Sequence, residues 1–371
     1  MSGPVSRDAA APTVGVEEEF LLTDLATGAP VAKSMEVART AGDNGLDLPL
    51  ELTRCQVEAK SGIHSELAQL LAELRDLRRT VASCAEKTGA RLLAVAVPPT
   101  GTGMASITDT PRYRRIAAGF GMLAREQQLC GCHVHIGVPD RRAALRASNF
   151  LRPLLPLLLA LTANSAIYRG VDTGYASWRH IMWGRWPSAG PPPYFASTAD
   201  YDAAVGMLLS TGAILDRKMV YWDVRPSVTY PTVEVRVSDI PATVEETVLL
   251  ATLVRATVMT AAASPPQPAP RIPGELLRTA CWRAARDGIT GELVDPASGR
   301  TIAGQNWLAE LIAAVRPALE QVGDYRFAAE TAAAVLARGN GAARQRRAFC
   351  AHHDLGDVLT ELAGATLQGC H

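Results

Sequence analysis

The sequence has no excess of either charge, with 37 Lys and Arg against 37 Asp and Glu. No bulk field therefore draws it to nucleic acid or to an acidic membrane surface, and a charged partner has to be recognised locally. The first dozen residues, "MSGPVSRDAAAP", have no apolar run of the kind a secretory signal needs, and residues 1–12 are expected to form a flexible tail. An uninterrupted membrane-spanning run is missing too. The most apolar window, Phe150 to Tyr168, is broken by Arg152, Pro153 and Pro156, too soon to cross a hydrocarbon core of ~30 Å. It reads as a buried helix. The seven cysteines are odd in number and scattered, without the pattern of a disulfide framework, which points to reduced thiols and a cytoplasmic protein. No internal repeat and no sharp change of composition divides the chain, so residues 13–371 are expected to form a single domain.

What is present is a set of short strands with charge on one face. "TVGVEEEFLL", "ELTRCQVEAK", "CGCHVHIGV" and the pair "KMVYWDVRPS" and "PTVEVRVSDI" all read as strands. Helices are expected after Ser65 as N-cap up to Gly89, over Pro111 to Gln127, over Arg141 to Ser165, and through the Ala-rich region beyond Thr243, which a Pro-rich loop and a polar turn interrupt. Side chains two apart on a strand point the same way, about 7 Å from one another. Glu17 and Glu19 therefore share a face, as do His133 and His135, and Glu234 and Arg236, with valines turned the other way around the last pair. One such pair is what any solvated sheet face carries. Three pairs on segments with apolar neighbours are a different matter, because buried carboxylates need metal or guanidinium partners.

A face carrying Glu17, Glu19, Glu58, His133, Glu234 and Arg236 would bind a cation. Carboxylates with one imidazole favour Mg2+ or Mn2+ over zinc, and such ions typically bridge nucleotide phosphates. Arg225 and Arg236 would face the same site, suited to grip phosphate oxygens in pairs. Zinc at "CGCHVH" fails on geometry: Cys130 and Cys132 fall on one face of the strand, His133 and His135 on the other. Cys-x-Cys within a strand is not a redox motif either. No convincing Ser-His-Asp set is present.

"GVEEEF", "QVEAKSG", "CGCHVHIGV", "DTGYASWR", "WGRWPSAGPPP", "YWDVRPS", "PTVEVRVSD" and "WRAARDGI", in this order, resemble the type 2 glutamate-cysteine ligase-like carboxylate-amine ligases of the glutamine synthetase superfamily. The resemblance runs from about Thr13 to Gly291. It implies an α+β fold in which a curved, mostly antiparallel sheet forms a funnel-shaped active site with helices packed outside. It also implies ATP and Mg2+ (or Mn2+), and an amide bond made through an acyl phosphate, with glutamate as default acid and cysteine or another amine as acceptor. By position, Glu17, Glu19, Glu51, Glu58, His133 and Glu234 match metal ligands and Arg236 matches an arginine at the transferred phosphate. His135 is on the right face, for direct ligation or for a supporting or substrate role. Glu18 is expected to point away.

Residues 171–195 are irregular and rich in aromatics, and Tyr175, Arg179, Trp183, Arg185 and Trp186 are candidates to line the substrate mouth, although the tryptophans would equally serve to pack the segment onto the sheet. Arg179 or Arg225 would hold a substrate carboxylate or a phosphate. The chain departs from many relatives at Thr279-Ala280-Cys281, where an acidic-amide pair is usual, which bears on substrate identity more than on ATP use. Two alternatives stand beside the ligase: a metal-dependent amide or ester hydrolase using the same Glu/His face, and an amide ligase of specialised metabolism with a non-cysteine acceptor. The expected partners are small-molecule acid and amine substrates, without nucleic acid or membrane. Curved-sheet enzymes of this size often form homo-oligomers, but no heptad or isolated apolar stripe marks an interface here.

Overall fold

The computed structural model describes residues 11–101, 103–263 and 269–370. Most of the expected N-terminal tail, and the start of the Pro-rich loop at 264–268, lie outside the described residues. The strands are β1 (Val14–Asp24), β2 (Gln56–Lys60), β3 (Ala90–Leu93), β4 (Gly131–Gly137), the two-residue β5 (Ile167–Tyr168) and β6 (Val171–Asp172), then β7 (Val224–Pro226) and β8 (Thr232–Asp239). Six of them form one open sheet in the order β2-β1-β4-β8-β7, with β3 pairing along the second half of β1; every pairing is antiparallel. Among the described residues beyond Thr243, the regular structure is helical apart from the hairpin β9 (Glu292–Val294) and β10 (Thr301–Ala303), which encloses the expected polar turn.

The two-residue period of the strands builds the layers. Val14, Val16 and Phe20 of β1, Cys132, Val134 and Ile136 of β4, and Val233, Val235 and Val237 of β8 are all buried in the main core. Against that layer pack helices Arg141–Leu151, Leu155–Thr162 and Val244–Ala263. Each fully buried Val or Leu there contributes about 1.5–3 kcal/mol. Two helical stretches, Arg141–Thr162 and Val244–Ala263, are long and apolar enough by composition to cross a membrane, but most of each is buried inside the protein. They are core elements.

Local chemistry moves several boundaries from those expected. The helix Arg141 to Ser165 is interrupted by a 3-10 turn at Arg152–Leu154, because Pro153 and Pro156 cannot donate the bonds that would continue it. Pro111 to Gln127 splits into Pro111–Phe120 and Met122–Arg125 at Gly121, whose φ of +54° ends the first helix. Helix Leu67–Lys87 starts after Glu66, not Ser65, and has no side-chain cap. Only Gln56–Lys60 of "ELTRCQVEAK" is strand, so Glu51 lies on the segment leading into β2.

Glu18 points to the helix side of the sheet. Its carboxylate accepts from Arg78 Nη2 at 2.6 Å and Nε at 3.0 Å, and from Thr247 Oγ1 at 2.6 Å, with both charged side chains fully buried. Arg78 also donates to the carbonyls of Pro241, Ala242 and Thr366, tying β1 to the C-terminal helices. Removing one partner of such a pair strands the other charge in the core. Glu18→Gln is therefore expected to destabilise the fold by about 3–5 kcal/mol, read as a lower urea midpoint at unchanged slope; an unshifted midpoint would show that the pair is dispensable.

Candidate active site

On the opposite face the antiparallel registers set charged residues side by side. Glu17 pairs with His133 and Lys60, Glu19 with Glu58, His135 with Glu234, and Arg225 with Glu234. Directly opposed residues share a face, so these side chains from five strands form one surface.

One half of it is acidic. Glu17, Glu58 and His133 each offer a ligand atom, and the three atoms lie within 4.8 Å of one another. His133 Nδ1 is 3.1 Å from Glu17 Oε2 and its Nε2 is 3.9 Å from Glu19 Oε1. Glu19 Oε2 accepts from the Gly131 N–H at 2.6 Å. His135 Nδ1 lies 3.0 Å from Thr232 Oγ1, while its Nε2 is buried without a hydrogen-bond partner among the described residues, 3.8 Å from Glu17 Oε1. Burial pushes Glu51 up to about 7, with Glu19 and Glu17 adding to the effect against Lys60 and Arg236. Burial, then Glu51 and Glu17, also raise Glu58 well above the carboxylate range. Glu17 goes the other way: burial alone would raise it, but the hydrogen bond with His133 and the nearby His135 outweigh that and hold it low. Burial and the neighbouring Arg236 hold His133 below its ordinary value, in the neutral form that can ligate a cation.

Lys60 is a member of this half that sequence reasoning missed. Its Nζ is 3.0 Å from Glu17 Oε1 and 2.9 Å from Glu58 Oε1, so an ammonium already sits across two of the clustered carboxylates. A cation is what this donor set accommodates.

The other half is basic. Arg225 grips Glu234 through Nε at 3.0 Å and Nη2 at 3.2 Å, and Arg236 Nη1 donates to the same carboxylate while lying 3.4 Å from His133 Nδ1. Burial alone would raise Glu234; Arg225 and then Arg236 reverse this and keep it ionised. Glu234 is thus committed to two guanidiniums and lies outside the three-residue cluster.

Arg179 reaches this face from the irregular segment. Any Cβ at position 131 would collide with its guanidinium, so Gly131 is the gap into which Arg179 fits. The residue is buried, its Cζ 5.7 Å from the Trp183 ring centre. Asp239, at the end of β8, fixes the segment: it accepts from Ser165 Oγ at 2.7 Å, Ser177 Oγ at 2.8 Å and the Asn164 N–H at 2.8 Å, and Ser177 caps helix Trp178–Trp183. Tyr175 packs on Trp178 with ring centres 5.4 Å apart, and its hydroxyl accepts from Trp282 Nε1 at 3.4 Å. Trp186 is buried in a satellite core with Phe120, Trp183 and Tyr221, and presents no surface to a substrate. Arg185 is exposed and donates to Glu126 Oε2 at 2.6 Å and to the Met182 carbonyl. Of the five candidates on this segment, Arg179 is placed against the charged face. Ala280 and Cys281 are buried on helix Gly274–Asp287, and Thr279 is turned outward.

The whole chain has clear relatives. A family model described as glutamate-cysteine ligase family 2 matches residues 13–361. A Nocardia farcinica protein provisionally named glutamate--cysteine ligase 2-1 is 62% identical over 97% of this chain and 94% of its own length. A Salinispora arenicola protein of the same provisional name class is 47% identical over 97% and 96%. Among solved structures, a Francisella tularensis glutamate--cysteine ligase in complex with AMP superposes with a TM-score of 0.65 at 13% identity, covering 97% of this chain and 89% of that one. The complex of the ubiquitin-like protein Pup with its ligase PafA gives 0.56 at 12% identity, over 96% and 73%.

Two outcomes follow from this geometry. Gly131→Ala is expected to displace the Arg179 guanidinium and lower turnover by ~10-fold or more, since misplacement by about 1 Å can cost as much as 10²-fold; full activity in a folded variant would show that Arg179 does not act at this face. His180, next to Arg179, is held down to about 4 by burial and then by that arginine, against 6.5 ordinarily. The unfolded chain therefore binds the extra proton first, and stability is lost as pH falls from 6.5 towards 4, by up to about 3 kcal/mol. His180→Gln should flatten that acid limb in denaturant titrations; an unchanged limb would place the titration elsewhere.

Proposed function

Since the chain belongs to glutamate-cysteine ligase family 2 and is thereby an ATP-dependent carbon–nitrogen ligase, we propose that it joins a carboxylic acid to an amine through an acyl phosphate, with glutamate as the default acid and cysteine or another amine as acceptor. The observation that carries this reading is the single sheet face on which a carboxylate–histidine cluster adjoins two arginines held by Glu234. Phosphoryl transfer needs that combination, because its catalysis is positioning and charge stabilisation with little covalent work for the protein.

Glu17, Glu58 and His133 would hold a divalent cation, with Glu19 and Glu51 beside them and His135 offering its unpartnered Nε2. Magnesium bound there supplies charge neutralisation at the phosphates of ATP. Arg236 would meet the oxygens of the transferred phosphoryl group. Arg225 fixes Glu234, and Glu234 in turn orients Arg236. Arg179 would take a substrate carboxylate or a second phosphate oxygen from the side of Gly131. We also assign residues 13–371 to one ligase domain, supported by a main core that draws on residues from Val14 to Cys370. Unpaired cysteines, six of the seven buried, fit a reducing compartment and support a cytoplasmic location.

The test is phosphate release from ATP and Mg2+ with panels of acids and amines. Release that needs both substrates is expected, and Arg236→Lys should lower it by ~10²–10³-fold with the fold intact, because a point charge cannot replace a forked donor. Hydrolysis of an ester or amide without any ATP turnover would instead establish the hydrolase reading.

A further inference from the structure

Asp223 sits immediately before β7, where the structure makes it a neighbour of Arg236: its carbonyl accepts from the Arg236 N–H at 2.7 Å. That bond continues the register in which Val224 faces Val235, so Asp223, just outside the strand, lies across from Arg236 on the side of the charged face. The side chain is 1% exposed, and its Oδ2 has no hydrogen-bond partner among the described residues. This is unusual on a face where Glu17, Glu19, Glu58 and Glu234 all have partners. An orphaned buried carboxylate oxygen is costly, and its persistence is explained by a partner that arrives with the reaction. Arg179 and Arg236 act on the carboxyl through their charge, and among the described residues neither forms an ion pair with it.

We propose that Asp223 is a catalytic residue of the second half of ligation, accepting a proton from the amine nitrogen as that nitrogen attacks the acyl phosphate. The inference rests on the ligase reading above. In this step the nitrogen forms the new bond to the carbonyl carbon, and the bond from that carbon to the phosphoryl oxygen breaks. Phosphate leaves with the electron pair, and the nitrogen's proton passes to Asp223 Oδ2. Placement suits the role. The arginine assigned to the transferred phosphate lies across from Asp223 in the sheet, which puts the proposed base on the same side of the sheet as that phosphate. Burial pushes the carboxyl up to about 7, against the opposing pull of Arg179 and then Arg236, so the group can hold a proton and release it near neutral pH. The buried Cys281 thiol senses the Asp223 charge from helix Gly274–Asp287.

The experiment compares two acceptors, cysteine and hydroxylamine, on Asp223→Asn with glutamate, ATP and Mg2+. Hydroxylamine is uncharged and strongly nucleophilic at neutral pH, so it traps an acyl phosphate without a base. The expected result is a loss of ~10²–10⁴-fold in cysteine ligation, the range for a removed general base, with hydroxamate formation and ADP binding by calorimetry close to wild type. Equal loss of both products overturns the proposal, since it would place Asp223 in acyl-phosphate formation or in support of Arg236. Unimpaired cysteine ligation overturns it as well. Should Asp223→Asn fail to fold, Asp223→Ala assayed with added formate reads the same point: restoration of cysteine ligation supports the base, and its absence in a folded variant opposes it. A wild-type enzyme that forms neither product with any acid tested overturns the ligase reading itself, and the inference falls with it.

Discussion

The charged face depends on one register, the antiparallel pairing that sets Glu17 opposite His133. A slip of one residue would exchange the two faces of β1. Glu18, whose two oxygens are matched to Arg78 and Thr247 in the core, would then meet the histidines. Glu17 and Glu19 would enter an apolar layer built for one carboxylate. Arg78 thus specifies the register of β1 as well as neutralising Glu18. The next pairing is irregular: between the pairs Cys132–Ser238 and Val134–Val235, the single residue His133 of β4 faces two of β8, Arg236 and Val237. Such an irregularity re-aims side chains without breaking the sheet. Here it leaves Arg236 beside both Glu234 and His133.

That register concentrates more negative charge than the protein neutralises by itself. Burial pushes up both Glu51 and Glu58, with Glu19 and Glu17 adding to the first and Glu51 and Glu17 to the second, while the histidines hold Glu17 low against its own burial. Lys60 relieves the cluster from the edge strand, but it is exposed and reaches only Glu17 and Glu58. The cost of holding these carboxylates together is paid by the rest of the fold, and a divalent cation would recover it. The same logic, with opposite sign, governs the basic half, where one buried carboxylate serves two guanidiniums. A preorganised field of this kind acts most strongly where water is excluded.

The alternation of strands is a local signal, and so the face of Glu17, Glu19, Glu58, His133, Glu234 and Arg236 was legible before any tertiary structure. The antiparallel hairpin of β7 and β8 was legible for the same reason. Lys60 carried the same signal, two residues from Glu58 on β2, whereas Asp223 lies just outside β7 and shows its side only through the bond from Arg236. Other features had no local signal. Glu51 lies outside the strand, where periodicity says nothing about direction. The gap at Gly131 exists only relative to Arg179, 48 positions along by their numbers in the sequence. Packing of the irregular segment depends on Asp239, Ser165 and Ser177 meeting from three parts of the chain. Helix breaks at Gly121 and Pro153 follow from residue chemistry and could be read locally; an overextended apolar pattern concealed them.

The two arginines of the basic half differ in what they have left to give. Arg225 spends its donors on both oxygens of Glu234 and on the carbonyls of Val220 and Lys218. It is a strut, tying the chain before β7 to the carboxylate on β8. Arg236 shares Glu234 through Nη1 alone, and its Nε is buried with no partner among the described residues. An unused donor on a charged, buried group has a high value for any anion that can reach it, because the desolvation has already been met by folding. Arg179 is in the same condition, with its Nε unpartnered and Asp239 no closer than 3.9 Å. The donors free to meet an incoming anion therefore belong to Arg236 and Arg179, while Arg225 holds Glu234 and, through it, Arg236.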